Sequence, residues 1–182
     1  MSYLRQIYFS NNHTIKTFNN TIIRKLFSTD VLKENCIKKI YVDGSCKQHL
    51  KDGRDAGIGV YWGDNDSRNI SLKLSGNHTN IVAELFATLY ALRQIKELKI
   101  EDAYIYSDSE FVVKSINEWS KKWEQNGWLT TSKKKVAHHD LLLEILDLTE
   151  STGTKICHVK GHSKDYGNEQ AHKLAYSACK SS

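Results

Sequence analysis

The sequence predicts an α/β domain, with a mixed five-stranded sheet flanked by helices. Three observations predict this class. First, strand-like runs with short Gly-, Asp- and Asn-rich connections follow residue 36. Second, the later strand-like runs are separated by segments whose apolar residues recur at helical spacing. Third, 182 residues with 40% hydrophobic content suffice for one packed domain. Because strands joined by short turns run antiparallel and strands joined through a helix run parallel, the sheet is expected to be mixed.

The overall charge and the cysteines limit the class of partner and the compartment. A formal charge of +5 and a pI near 8.9 permit a polyanionic partner without requiring one. The four cysteines form no CxxC pair and no zinc-type spacing, so they are interpreted as reduced thiols of an intracellular protein. No apolar run approaches the roughly 18 residues of a membrane span, and no membrane association is expected.

Residues 1–35 are predicted to form an N-terminal extension, with the globular domain over residues 36–182. Residues 1–29 contain no acid, and their basic side chains are spread among Ser, Thr, Asn and apolar residues. This composition is typical of a mitochondrial transit peptide, and residues 24–29 resemble the sites at which such peptides are cut. The alternative is an Asn-rich leader without a targeting function. The mitochondrial matrix is therefore the expected location, with nucleus or cytoplasm as the alternative.

Three strands are predicted over residues 40–42, 57–62 and 70–74, joined as an antiparallel meander. The first of them ends in Asp43, and Gly44 and Ser45 follow as a predicted turn. A carboxylate before glycine is often turn chemistry alone, so Asp43 by itself indicates no site. It becomes a candidate because other acids follow at comparable places in the chain.

A long helix is predicted from residue 80, with Thr79 as its N-cap and apolar residues at helical spacing as far as Ile95. Glu84 falls within this apolar stripe. A buried carboxylate is costly unless it is paired or bound to a cation, so Glu84 is a candidate metal ligand. The alternative is a partly exposed glutamate at the edge of the stripe.

The next strand, over residues 103–106, leads to Asp108 and to a helix over residues 110–117. Asp108 thus has the same predicted place as Asp43, where a strand gives way to a turn. Because helical crossovers make strands parallel, both acids are expected at one edge of the sheet, where ligands bind in α/β proteins.

Tryptophans and lysines are interleaved over residues 119–135. Aromatic rings mixed with lysines suit a phosphate backbone with accessible sugars or bases. The alternative is a set of tryptophans packed as core beneath a solvated lysine face. The remainder of the chain is predicted as a helix over residues 136–148, a strand over residues 154–159, a polar loop around His162, and a helix over residues 168–179 that carries His172.

These pieces, in this order, resemble the type 1 ribonuclease H family over about residues 38–180. The resemblance implies a ribonuclease H-like fold, with the tryptophan- and lysine-bearing segment as the family's basic protrusion. It also implies an endonuclease that hydrolyses the RNA strand of RNA/DNA hybrids and leaves 5′-phosphate and 3′-hydroxyl ends. A DNA-cutting nuclease of the same fold group, such as a transposase or resolvase, fits the ordered motifs less well. The matching stretches are YVDGS (41–45), AGIGVYWG (56–63), TN (79–80), AEL (83–85), YSDS (106–109), the segment 119–128, VKGHS (159–163) and GNEQA (167–171).

The resemblance implies a site for two Mg²⁺ ions held by Asp43, Glu84 and Asp108, with Asp43 bridging both ions. Where the family reads Gly-Asn-Glu-X-Ala-Asp, this chain has His172 in place of the final acid. A neutral imidazole suits Mn²⁺ better than Mg²⁺, so a Mn²⁺ preference is expected. Two hypotheses follow: an active enzyme with His172 as a substitute catalytic ligand, or a hybrid-binding protein with weak or no catalysis.

The family's remaining roles are carried over by position. His162 matches a catalytic loop histidine that assists proton transfer or product release. Groups around Asp43 and Glu84 would test for the RNA 2′-hydroxyl, Thr79 matches a phosphate pocket for the DNA strand, and His138 stands where asparagine is common. The implied partner is an RNA/DNA hybrid, and the protein is expected to be a monomer. The predicted nucleic-acid-binding residues are Gly44, Ser45, Cys46, Thr79, Asn80, Trp119, Lys121, Lys122, Trp123, Trp128, Lys133 and His138.

Overall fold

The computed structural model of the protein describes residues 38–49, 53–161 and 163–180. These residues belong to one compact unit, Ile37–Ser182. The predicted extension of residues 1–35 lies outside the described residues, so the transit-peptide hypothesis stays a prediction. His162 also lies outside them, although the residues on both sides of it are described.

The domain is built on a mixed five-stranded sheet, which confirms the predicted fold class. Its strands are β1 (Lys38–His49), β2 (Gly53–Tyr61), β3 (Ile70–Leu74), β4 (Ala103–Ser107) and β5 (Lys155–His158). Their order across the sheet is β3-β2-β1-β4-β5. The first three strands pair antiparallel as a meander, whereas β4 runs parallel to β1 and β5 runs parallel to β4.

The first strand shows that the predicted turn at Asp43 was wrong. β1 continues past Asp43 as one arm of a long hairpin with β2. Gly44 is required there by a close approach, because a Cβ atom at this position would lie 2.2 Å from the Glu84 backbone nitrogen. The parallel pairing of β1 with β4 stops at Val42. Asp43 is therefore the first residue of β1 that has no paired residue on β4.

Helices follow the strands in the predicted order. The first begins where predicted, because the Thr79 hydroxyl oxygen accepts a hydrogen bond from the Val82 N–H. A π-helical turn, Ser115–Trp119, joins the second helix to the third. The described α-helices are α1 (Asn80–Glu97), α2 (Glu110–Lys114), α3 (Ser120–Gln125), α4 (His139–Thr152) and α5 (Tyr166–Lys180).

The observed bounds of three helical segments differ from the predicted ones, and β2 begins four residues earlier than predicted, at Gly53. The helix expected over residues 110–117 continues through the π-helical turn into α3. α4 starts later than predicted, because the Val136 N–H donates to the Trp128 carbonyl in the preceding loop. α5 starts earlier than predicted, because the Asp165 carboxylate accepts a hydrogen bond from the Asn168 N–H and so caps the first turn.

The two faces of β1 pack on different helices. Successive residues of a strand point to opposite faces, so Gly44 faces α1 whereas Asp43 faces α5. Gly59, the β2 partner of Asp43, lies so close to α5 that a Cβ atom there would be 2.1 Å from the Ala171 carbonyl oxygen. None of the described helices is long and apolar enough to cross a membrane. The core contains fully buried side chains from the sheet and from α1 and α4, among them Ile40, Val42, Ile58, Leu85, Leu89, Leu92, Ile105 and Ile145.

Candidate active site

Three carboxylates from different elements meet beside the centre of the sheet. Asp43 comes from β1, Glu84 from the second turn of α1, and Asp108 from the residue directly after β4. One oxygen of each lies within 4.8 Å of the others. Asp43 and Glu84 are only 4% and 5% exposed, and Asp108 is half-buried. The structure thus brings together the three predicted acidic ligands.

Burial and mutual repulsion make this cluster costly in its fully ionised form. Burial, followed by the charge of Asp108, raises the pKa of Asp43 to about 6, although a hydrogen bond from His172 acts in the opposite direction. Burial, followed by the charges of Asp43 and Asp108, raises the pKa of Glu84 well above its usual range. With all three acids ionised, Glu84 Oε2 has no hydrogen-bond donor among the described residues. Oxygen-rich sites of concentrated negative charge fit hard divalent cations such as Mg²⁺.

His172 lies at the cluster, as the match to the last acidic position implied. It is on α5, and its Nδ1 is 2.9 Å from Asp43 Oδ2, while its side chain is 54% exposed. The imidazole is therefore placed to share a cation with Asp43 or to compete for the same carboxylate oxygen.

Asn168 is a site residue that the sequence prediction missed. It is buried, and its Nδ2 donates a hydrogen bond of 3.0 Å to Asp108 Oδ2. The signal that could have found it is its spacing of four residues before His172, which places both side chains on one face of α5. The side chain of Asn168 holds Asp108 in position, so it is a positioning residue of the cluster.

A cleft of about 560 Å³ opens beside the carboxylates. The Cys46 thiol at its wall donates to the His78 carbonyl over 3.1 Å, and Asn80 Nδ2 approaches Glu84 Oε1 at 3.4 Å. Glu169 and Lys173 of α5 also line the cleft and were not predicted. The predicted residues that line it are Asp43, Gly44, Ser45, Cys46, Asn80, Glu84, Asp108 and His172.

Thr79 and His138, which are also predicted to bind nucleic acid, lie outside the lining of this cleft, as do the predicted residues of the segment 119–135. Thr79 is exposed, and its hydroxyl oxygen is engaged as the N-cap of α1. His138 is exposed, with a left-handed backbone of φ 60°, directly before α4. These positions do not contradict a phosphate contact, and the roles of both residues stay predictions.

The tryptophans of residues 119–135 form a row of ring contacts. Ring centroids are 5.8 Å apart for Trp119 and Trp123 and 5.7 Å apart for Trp123 and Trp128, and the row ends on His139, 4.6 Å from Trp128. All three indoles are half-buried, and Trp123 and Trp128 pack against the core. The lysines between them, Lys121, Lys122 and Lys133, are exposed. The packed rings and the solvent-facing lysines match the second alternative, and the nucleic-acid contact of this segment stays a prediction.

A five-stranded mixed sheet of this order, with buried acids beside its central strands, defines the class of RNase H-like α/β proteins. The RNase H family model matches residues 35–180. The chain belongs to this family.

Similar proteins cover most of the described domain. Ribonuclease H1 of Mus musculus is 36% identical over 143 residues, 79% of this chain and 50% of the mouse protein. Ribonuclease H of Francisella philomiragia is 38% identical over 142 residues, 76% of this chain and 88% of the bacterial protein. The solution structure of the PFV RNase H domain matches with a TM-score of 0.65 and 28% identity, over 78% of this chain and 93% of that domain. The chain spans about half the length of the mammalian relatives that it matches.

Proposed function

We propose that this protein is an endoribonuclease that hydrolyses the RNA strand of RNA/DNA hybrids and leaves 5′-phosphate and 3′-hydroxyl ends. The observation that carries the proposal is the cluster of Asp43, Glu84 and Asp108, whose mutual repulsion in a largely buried site favours a bound cation. Membership of the RNase H family supports this reaction and this substrate.

Divalent metal ions are the cofactor that this donor set fits. When bound, two such ions neutralise the leaving oxygen and activate the attacking water in phosphodiester hydrolysis. Asp43, Glu84 and Asp108 would hold Mg²⁺ through carboxylate oxygens. His172 would add a nitrogen donor beside Asp43, and we expect Mn²⁺ to be preferred because imidazole suits Mn²⁺ better than Mg²⁺.

Residues of the cleft wall would bind and orient the RNA strand. Gly44, Ser45, Cys46 and Asn80 line the cleft beside the carboxylates, where they would test for the 2′-hydroxyl that distinguishes RNA from DNA. His162 would move a proton during the reaction or assist product release, because an imidazole titrates near neutral pH.

The DNA strand would be bound mainly through its phosphates. The exposed ammonium groups of Lys121, Lys122 and Lys133 supply positive charge, and the packed rings of Trp119, Trp123 and Trp128 supply an apolar surface for sugars. Thr79 and His138 would complete the phosphate contacts. Since such contacts read backbone and not base edges, we expect little sequence preference and strong salt dependence.

A second candidate function is hybrid binding with weak or no catalysis. The observation that favours it is the 2.9 Å contact between His172 and Asp43. This contact engages one oxygen of the Asp43 carboxylate, which would otherwise face a cation. In addition, His172 stands where the family has an acidic side chain, so the site lacks that negative charge. The carboxylates of Asp43, Glu84 and Asp108 are nevertheless all present, and they favour the active enzyme.

The test is a cleavage assay of the full chain on a labelled RNA/DNA hybrid, duplex RNA and duplex DNA, each with Mg²⁺ and with Mn²⁺. We expect cleavage of the hybrid alone, faster with Mn²⁺, and loss of cleavage in Asp108→Asn. We expect His172→Asp to restore activity with Mg²⁺. Wild type that is inert with both metals, beside an active His172→Asp, would establish the binding function instead. Equal activity of Asp108→Asn and wild type would exclude this metal site.

We also propose that residues 1–35 direct the protein to the mitochondrial matrix. The support is their acid-free first 29 residues with basic and hydroxylated side chains. A fusion of residues 1–35 to a fluorescent reporter is expected to enter mitochondria. The matched control is the same fusion with Arg5, Lys16, Arg24 and Lys25 changed to glutamine, which is expected to stay outside. A wild-type fusion found in the cytosol or nucleus would overturn the proposal.

A further inference from the structure

Three exposed side chains of α5 form a row that begins at the carboxylate cluster. His172, which contacts Asp43, has its ring nearly parallel to that of Tyr176, with centroids 6.3 Å apart and planes at 15°. The Lys180 Nζ lies 4.3 Å from the centroid of the Tyr176 ring. Because these positions recur every four residues, they share one face of the helix. Tyr176 is 42% exposed, so part of its ring surface is accessible to a ligand.

The row runs beside the hairpin arm of β1 that follows Asp43. The Cys179 thiol donates to the Ser45 carbonyl over 3.2 Å, so the end of α5 lies against the part of β1 that lines the cleft. Both the row and this arm thus lead away from the carboxylates along neighbouring paths. A polyanion that reaches Asp43 and follows this direction would meet an imidazole, an aromatic ring and an ammonium in turn.

We propose that His172, Tyr176 and Lys180 form a subsite for the RNA strand on one side of the cleavage point. Tyr176 packs against a ribose or a base, and Lys180 contacts a phosphate. This inference rests on the proposed nuclease function and deepens it, because the strand whose phosphate reaches Asp43 is the strand that is cut. Eight helical residues rise about 12 Å, which corresponds to about three to four nucleotide steps at about 3.4 Å each. The subsite therefore lies within about four nucleotides of the cleavage point.

A stabilising role within α5 is the competing explanation. A lysine in the last turn of a helix interacts favourably with the helix dipole, and a ring and an ammonium four residues apart support a helix. Such a role changes the melting temperature but does not depend on the length of the RNA. A dependence on RNA length therefore separates the two explanations.

The experiment compares Tyr176→Ala, Tyr176→Phe and Lys180→Ala with wild type, using the full chain. Lys155→Ala is the matched control, since the Lys155 Nζ likewise lies over a tyrosine ring, 5.2 Å from the centroid of Tyr104, at the opposite end of β4 from the cluster. Hybrid affinity is measured in Ca²⁺ and cleavage in Mn²⁺. The substrates are one long hybrid and two hybrids whose RNA is shortened to about two nucleotides on either the 5′ or the 3′ side of the cleavage point.

We expect Tyr176→Ala and Lys180→Ala to weaken binding of the long hybrid about 5- to 20-fold, as loss of a stacking or phosphate contact does. The effect should vanish on one of the two shortened hybrids. Tyr176→Phe should bind like wild type, Lys155→Ala should show no loss, and Lys180→Ala should lower the slope of log affinity against log salt by about one.

Three results would overturn the subsite. They are wild-type affinity in both alanine variants, an equal loss on all three hybrids, or an equal loss in Lys155→Ala. If wild type binds the hybrid without cutting it, the nuclease proposal fails, but the affinities in Ca²⁺ still decide whether the subsite exists. If wild type does not bind the hybrid, both proposals are wrong.

Discussion

At the scale of single residues, the pKa of Asp43 results from opposing influences. Burial, followed by the charge of Asp108, raises this pKa, whereas His172 donates a hydrogen bond that favours the ionised form. Burial, followed by the charges of Asp43 and Asp108, raises the pKa of Glu84. The protein without metal therefore keeps acids close together at a cost in stability. This cost is what a bound cation would remove, and it can be measured separately from catalysis.

The first prediction concerns the pH dependence of the metal-free protein. The pKa of folded Asp43 is about 6, above the ordinary carboxyl value of 3.8. Between these values the folded state binds more protons than the unfolded state, so the free energy of unfolding should fall as pH rises from about 4 to about 6. Urea unfolding in EDTA across this range measures it. A free energy of unfolding that rises through this window would contradict the prediction.

Asp43→Asn should accordingly stabilise the metal-free protein while abolishing cleavage. A shift of about two pKa units corresponds to about 3 kcal/mol, and the lost contact with His172 reduces the expected gain to about 1–2 kcal/mol at pH 7.5. The matched control is Asp66→Asn, because the hydrogen bonds from Arg68 lower the pKa of Asp66 to about 2. That variant should be less stable than wild type. A destabilised Asp43→Asn would show that the cluster is not repulsive.

Metal binding should be visible in the melting temperature without any substrate. A ligand at 100 times its Kd stabilises the folded state by about 2.7 kcal/mol. We expect Mn²⁺ to raise the melting temperature at lower concentration than Mg²⁺ does in wild type, and His172→Asp to reverse this order because it replaces nitrogen with oxygen. Asp108→Asn should lose most of the shift with both ions. Identical titrations of wild type and His172→Asp would exclude His172 from the metal site.

At the scale of elements, the site depends on how closely α1 approaches β1. Glu84 reaches Asp43 only because Gly44 has no side chain: a Cβ atom there would lie 2.4 Å from the Ala83 carbonyl carbon as well as 2.2 Å from the Glu84 nitrogen. The hairpin arm of β1 and the second turn of α1 are therefore in contact through backbone. Any side chain at this position must push the helix, and with it Glu84, away from the cluster.

Gly44→Ala should therefore destabilise the protein by about 3 kcal/mol or more, as overpacking against backbone does. The control is Gly127→Ala: Gly127 has a φ of 73° but no atom within 4 Å of an added Cβ, so only the left-handed backbone matters there. That change should cost about 1 kcal/mol. Equal costs for the two variants, measured by urea unfolding, would show that the contact with α1 is not tight.

The segment of residues 119–135 is the second element with a testable function. Its lysines Lys121, Lys122 and Lys133 are exposed, and each would neutralise one phosphate. The triple alanine variant should bind the hybrid about tenfold or more weakly at moderate salt and lower the salt slope by about three. Lys96→Ala, an exposed lysine in the last turn of α1, is the control and should change neither quantity. An unchanged slope in the triple variant would remove this segment from the interface.

At the scale of the whole molecule, the large exposed apolar side chains of the described residues come from β3, from the loop after α1, and from α1, α4 and α5. Large side chains that are exposed singly are normal on a monomer, and Tyr176 is proposed to contact RNA. We therefore propose that the protein is a monomer. Light scattering behind a sizing column should give a mass near 20.9 kDa for the full chain, independent of concentration. A mass twice as large would contradict this. The other such side chains in the described residues are Leu72, Ile81, Leu98, Leu143 and Tyr166.

Much of the fold followed from local patterns. Strand-like alternation over residues 70–74, the helical stripe around Glu84 and the Thr79 cap were read from neighbouring residues, because each depends only on backbone periodicity and local hydrogen bonds. The match of ordered motifs then singled out Asp43, Glu84, Asp108 and His172, and the structure brings these four side chains together.

The sequence by itself thus determined the fold class, the succession of strands and helices along the chain and the acids of the candidate site. Only the tertiary structure decided that β1 runs on through Gly44, that Asn168 holds Asp108, and that Tyr176 and Lys180 continue the line from His172. The physical reason is the same in each case. Gly44 favours a turn by local propensity, but pairing with β2 and the approach of α1 override it, and contacts between residues far apart in the chain leave no local pattern.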